Sequence, residues 1–189
     1  MLNIIYKNIP LIISLISLIL SLINSISNRK RLDVEIEDNL CDINDIYLNR
    51  FQYKNNQPNF NFTKGKICFI KIVNPSPKDI SFFDLRVINI SSNKQVFYIY
   101  KSVLESLDVK SDQKLFYGTT GGLAKLNYPQ DSYGVLKANS FNKLDIAFFP
   151  KIESCNILIS FKVAIPSLFK NKESITRKNF KYYRKVFKI

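Results

Sequence analysis

The sequence predicts an all-β, antiparallel sandwich behind one N-terminal transmembrane α-helix, and three observations carry that prediction. No charged residue lies between Lys7 and Arg29. From Leu32 onward apolar and polar residues alternate with the period of two that strands require, because successive strand side chains point to opposite faces. Clusters of Asn, Ser, Pro and Gly break the alternation about every 8–12 residues, the turn spacing of a sandwich. The 189 residues, 46% of them hydrophobic, suffice for one membrane segment and one domain of ordinary size. The expected organisation is a transmembrane helix over 1–28, a basic stop and linker over 29–31, and a β-sandwich over 32–189.

The helix comes first. Ile9 to Ile26 is nearly all Leu and Ile, with Ser as its main polar guest. About 20 residues at a rise of about 1.5 Å each cover the roughly 30 Å of bilayer hydrocarbon. Pro10 falls in the first turn of that stretch, where its missing N–H costs nothing. A cleaved signal peptide fits less well: no A-x-A-like site closes the run, and Arg29, Lys30 and Arg31 follow directly. That triplet resists translocation, whereas only Lys7 and the α-amino group precede the helix. The positive-inside rule therefore expects a single-pass protein of the cell membrane with its domain in the cytoplasm and Arg29, Lys30 and Arg31 on lipid headgroups. Ser17, Ser21 and Ser25 share one helical face and form a candidate self-association stripe, although serine is also tolerated singly in lipid.

The strands follow in order. In 32–37, Leu32, Val34 and Ile36 take one face and Asp33, Glu35 and Glu37 the other, which describes a half-buried strand leaving the linker. The same signal returns over 66–73, 80–90, 95–100, 144–149, 156–165 and 180–189. Turn clusters separate these runs at Asn74-Pro-Ser-Pro, Ser91-Ser-Asn-Lys, Gly121-Gly122, Ala138-Asn-Ser and Pro166-Ser. About seven to nine strands are expected. A short helical turn at a sheet edge is expected over 101–109.

The span, its basic stop, the acidic-alternating first strand, the segment Ile70-Lys-Ile-Val-Asn-Pro-Ser-Pro-Lys-Asp-Ile-Ser81 and the segment Leu136-Lys-Ala-Asn-Ser-Phe-Asn-Lys-Leu-Asp-Ile-Ala-Phe-Phe-Pro150 together resemble the small single-span membrane-anchored proteins of low-GC bacteria that carry an Ig-like or fibronectin-like β-sandwich. The resemblance implies an Ig-like sandwich for the domain, with Asn74 and Ser140 as turn residues. It implies no activity.

The residue types that carry most chemistry are missing or scattered. There is no histidine, so triads and metal sites built on imidazole are excluded. Cys41, Cys68 and Cys155 form no CxxC pair, which argues for free thiols and against a thiolate zinc site. The glycines of 118–125 do not meet the spacing of a phosphate loop, and a hairpin using glycine's positive φ is expected there instead. Asp38, Asp42, Asn44 and Asp45 lack the glycine turn and closing Glu of a calcium loop, and read as a solvated turn. The Asn61 and Asn89 glycosylation sequons carry no weight in a cytoplasmic domain. No catalytic residue, cofactor site or metal site is expected.

The net charge of +13 raises the question of a polyanion. Arg177, Lys178, Lys181, Arg184 and Lys185 lie among aromatic residues in the last segment, as cations and rings do in surfaces that bind phosphate, although lysines also protect edge strands from aggregation. No nucleic-acid reader motif is recognisable. The expected function is non-enzymatic: a membrane-tethered module for protein interaction or scaffolding, touching lipid and a protein partner. The alternative is a cytoplasmic sensor that captures nucleic acid or anionic lipid through its basic C-terminal strand.

Overall fold

The computed structural model describes residues 2–48, 60–106, 114–119, 121–150, 155–166 and 180–189. Helix α1 spans Leu2–Ser27, and its last turn closes through Asn28 N–H on the Asn24 carbonyl (2.9 Å) and Arg29 N–H on that of Ile26 (3.2 Å). The stretch Asn8–Ser27 is long and apolar enough to cross a membrane, and none of it is buried against the domain, so it is not a core helix.

Two antiparallel sheets follow. The large sheet is built on the 15-residue β3 (Phe60–Asn74). β1 (Asp33–Ile36) and β2 (Cys41–Leu48) pair end to end along one side of β3, and β9 (Ser140–Phe148) pairs along the other. The hairpin β6 (Leu115–Thr119) and β7 (Gly122–Lys125) extends it beyond β2. The small sheet runs β11 (Phe180–Lys188), β10 (Asn156–Pro166), β4 (Ile80–Asn89), with β5 (Lys94–Gln95) and β8 (Gly134–Leu136) sharing the far edge of β4.

Alternation places the core. Cys68, Ile70, Ile72, Ile146 and Phe148 of the large sheet face Phe82, Val87, Ile157, Ile159, Phe161 and Val163 of the small one, and all are buried. Burying a side chain of this size is worth about 1.5–3 kcal/mol, so this interface dominates the stability of the domain. Part of the opposite face of the large sheet is buried too. Ile43, Ile67, Phe69 and Ala147 pack under Ile99, Leu104 and Leu126, brought there by the segment around the short helix α2 (Lys101–Ser106).

That cover explains where the sequence reading departs from the fold. An expected strand over 95–100 pairs only at Lys94 and Gln95, because the chain then crosses between sheets: Val96 N–H bonds the Val87 carbonyl of the small sheet, whereas Tyr98 bridges Phe148 of the large one. The turn expected around Asp42 and Asp45 is strand β2, held by buried Ile43 and Ile46. β2 and β8 lie beyond the strands the sequence reading expects, and the described residues form eleven strands against seven to nine. The 118–125 hairpin and its positive-φ Gly122 (122°) stand as expected, and the antiparallel two-sheet architecture behind one apolar helix is the fold class the sequence predicts.

Candidate interaction surface

Because the large sheet is covered over Ile43, Ile67, Phe69 and Ala147 and open only toward its end at Val73 and Phe141, the broadest open sheet face among the described residues is the outer face of the small sheet. Its register makes rows across β4, β10 and β11: Phe83–Lys162–Tyr182, Arg86–Ser160–Arg184 and Ile88–Leu158–Val186. Val186 is 53% exposed and Arg184 is exposed. Phe83 meets Phe180 edge to face at 5.2 Å. Asp84 sits at a β-bulge with φ 61°, which turns its carboxylate onto this face, where it pairs with Arg86 and, at 2.9 Å, with Lys162. Two of the cations are thereby partly neutralised, whereas Arg184 pairs with no anion among the described residues.

β11 also supplies an edge. Cys155 and Ile189 exchange both backbone hydrogen bonds (3.2 and 3.0 Å), so the alternation of an antiparallel ladder turns the backbone groups of Tyr182, Arg184, Val186 and Lys188 outward. No described strand pairs with them.

The sequence-expected cations separate here. Arg177 and Lys178 lie outside the described residues. Lys181 lies 4.8 Å over the Tyr183 ring and Arg184 projects from the open face. Lys185 is engaged inside the domain: its ammonium bonds the Ile36 carbonyl and Asp38, both at 2.5 Å, and so clasps the edge of the small sheet to the edge of the large one. Arg29, Lys30 and Arg31 follow α1, the outer two exposed. Ser17, Ser21 and Ser25 occupy an exposed face of α1. Sequence reasoning missed Arg86, Lys162, Ile88 and Leu158 as parts of one surface, because only the cross-strand register joins them.

Groups capable of chemistry are tied into the framework. Glu35 (3.6 Å) and Glu37 (2.9 Å) hold Lys71 in a cross-strand ladder, and the hydrogen bond that the Lys71 ammonium donates to Glu37 raises the Lys71 pKa. Asp145 is fully buried; its Oδ2 accepts from the Asn127 backbone (2.8 Å) and amide (3.3 Å), which pins the cover segment to β9. Its Oδ1 has no hydrogen bond, and the Lys143 ammonium stands 3.6 Å away, itself 4.5 Å over Phe69. Burial pushes the Cys68 thiol up to about 12, so it stays a neutral hydrophobe. No group of three or more metal-ligating side chains gathers among the described residues.

No family model matches the chain, and no curated protein matches it. Among solved structures, the ASH / PapD-like domain of human CEP192 (PapD-like domain 7) is similar over 76% of this chain and 84% of its own, at 11% identity and a TM-score of 0.29.

Proposed function

We propose that the chain is a non-enzymatic, single-pass membrane protein whose sandwich (32–189) presents a protein-interaction surface at the cytoplasmic face of the membrane. The observation that carries it is the open side of the small sheet: a half-buried apolar row ending in exposed Val186, beside exposed Arg184 and bordered by a nine-residue edge strand with outward backbone groups. Edges of this kind accept extended segments of other chains through main-chain hydrogen bonds, with side-chain contacts setting the choice of partner. Arg29, Lys30 and Arg31 would hold the linker on anionic headgroups and fix the orientation.

The test is a photo-crosslinking residue at Val186 in the full-length chain in membranes, compared with one at Leu123, which is 40% exposed on β7 of the large sheet. A discrete adduct from position 186 alone, lost on Arg184→Glu, is expected. Equal adducts from both positions, or none from 186, would count against an interaction surface on this side. The polyanion reading draws on the Arg86–Ser160–Arg184 row, which sets two guanidiniums two strands apart, about 10 Å, on one face. A salt-sensitive gel shift of labelled oligonucleotide by the detergent-solubilised chain would favour it over a protein partner.

A further inference from the structure

We infer that the end of the sandwich nearest α1 is itself a lipid-contacting surface, with Val73 and Phe141 entering the headgroup region of an anionic bilayer and cations ringing them. The inference rests on α1 being a membrane span. Leu32 is buried in the sandwich core and its carbonyl accepts the Tyr183 hydroxyl at 3.3 Å, so the chain is fixed to the domain from that residue on. α1 ends at Ser27, which leaves five peptide steps, at most about 17 Å, between helix and core. The domain therefore meets the bilayer end first.

Register identifies that end. Asp33 pairs with Val73, and Val73 with Phe141, so these three residues form the first row of the large sheet after the linker. Polar side chains normally finish such a row, yet Val73 is 40% and Phe141 61% exposed. The adjoining turns, 75–79 and 137–139, carry exposed Lys78 and Lys137, and the linker adds exposed Arg29 and Arg31. Apolar side chains ringed by cations are the composition of an interfacial membrane contact, in which burial and attraction to anionic lipid add. Asp33 and Asp79 are the opposing charges, and Asp79 is paired with Lys137 at 3.1 Å.

The test uses the full-length Cys41→Ser chain, whose remaining thiols are buried, with an environment-sensitive fluorophore on a cysteine placed at Pro77, Ser92 or Ile19. Ser92 lies at the other end of β4, about 30 Å from Ile80. The protein is reconstituted into phosphatidylcholine vesicles containing phosphatidylglycerol and either a headgroup-nitroxide lipid, which reads positions 77 and 92, or an acyl-chain-nitroxide lipid, which reads position 19 near the middle of the span. Quenching several-fold stronger at 77 than at 92 is expected, with 77 falling toward 92 after Phe141→Ser or in pure phosphatidylcholine. Quenching at 77 as weak as at 92, or indifferent to Phe141→Ser, with position 19 strongly quenched, overturns the contact while leaving the span intact. No quenching at 19 overturns the span and the contact with it.

Discussion

Asn74 offers the sharpest test of how the end of the sandwich is held. It is fully buried where β3 leaves the large sheet. Its Nδ2 donates to the carbonyls of Lys78 (3.0 Å), Leu136 (3.0 Å) and Lys137 (2.9 Å), and its Oδ1 accepts from Ser76 N–H (3.1 Å) and Ser76 Oγ (2.6 Å). One side chain thus ties together two turns that lie more than 60 residues apart. Two amide hydrogens serve three carbonyls, so about four net bonds are at stake, each worth about 1 kcal/mol. Asn74→Ala should therefore cost about 3–4 kcal/mol, lowering Tm by about 10 °C for a domain of this size. Asn74→Asp is nearly isosteric but turns a carboxylate oxygen toward three carbonyls at about 3 Å, which no hydrogen bond offsets. It should cost at least as much at neutral pH. Burial among carbonyls raises the folded-state pKa of the new carboxyl, so the sign is opposite to that of an ordinary paired aspartate: stability is greatest below about pH 3.9 and is lost as pH rises through the folded value. Thermal unfolding of the detergent-solubilised chain, followed by near-UV circular dichroism at pH 4 and pH 7, reads both effects. Variants within about 1 kcal/mol of wild type, or Asn74→Asp and Asn74→Ala responding identically to pH, would refute the account.

Three further outcomes follow from the same structure. Gly65→Ala should destabilise by about 1–3 kcal/mol in a urea titration, because an added Cβ would lie 2.5 Å from the Ile43 carbonyl oxygen and 2.6 Å from the Phe149 ring, and the carbonyl belongs to a paired strand. A thiol reagent should modify Cys41 rapidly and leave Cys68 and Cys155 untouched until denaturant is added; prompt reaction at Cys68 would contradict its burial and its pKa of about 12. The Ala138 backbone N–H, 2.8 Å away, and then the Lys137 ammonium hold the Asp79 carboxyl below its usual range, so the 137–140 turn should keep its order above the ordinary carboxylate pKa and loosen as pH falls through the lower folded value. An Ala138 amide resonance whose pH inflection sits at or above that of a free aspartate would show the bond to be absent.

What could be read from the sequence divides along the physics of burial. Strands with one wet face announce themselves: 80–90 and 156–165 alternate because one side of the small sheet is open, and both appear almost to the residue. β3 extends further than its signal, since Ile67 and Phe69 are buried beneath the cover while Cys68 and Ile70 face the other sheet. With both faces dry, a strand has no polar phase to display. β6, β7 and β8 are three to five residues each, too short for a period to register. The candidate surface was legible only as charges. Arg184 is where the basic segment placed it, but Lys185, its sequence neighbour, points to the opposite side of β11 and is consumed by Ile36 and Asp38. A strand's period of two assigns adjacent cations to different faces, and which face is wet depends on pairing that local sequence does not encode.

The same geometry separates the two contacts proposed for this domain. β4 rises from Ile80 at the end nearest α1 to Asn89 at the far end, so the Ile88–Leu158–Val186 row lies about 26 Å above the Ile80 end. Headgroup charge is screened over about 8 Å at physiological salt, so that row stands beyond the electrostatic reach of the membrane, whereas Lys78 and Lys137 stand within it. Lipid contact and partner contact thus fall at opposite ends of the same strands. On the proposed reading, charge at the near end would govern how the domain rests on the bilayer, and the apolar row and β11 edge at the far end would govern what it holds. The large sheet contributes only its end nearest α1, at Val73 and Phe141, because its inner face meets the other sheet and Ile99, Leu104 and Leu126 cover the outer face over Ile43, Ile67, Phe69 and Ala147. A substitution at Phe141 should therefore leave crosslinking at position 186 intact, and Arg184→Glu should leave quenching at position 77 unchanged, since neither alters the core that joins them.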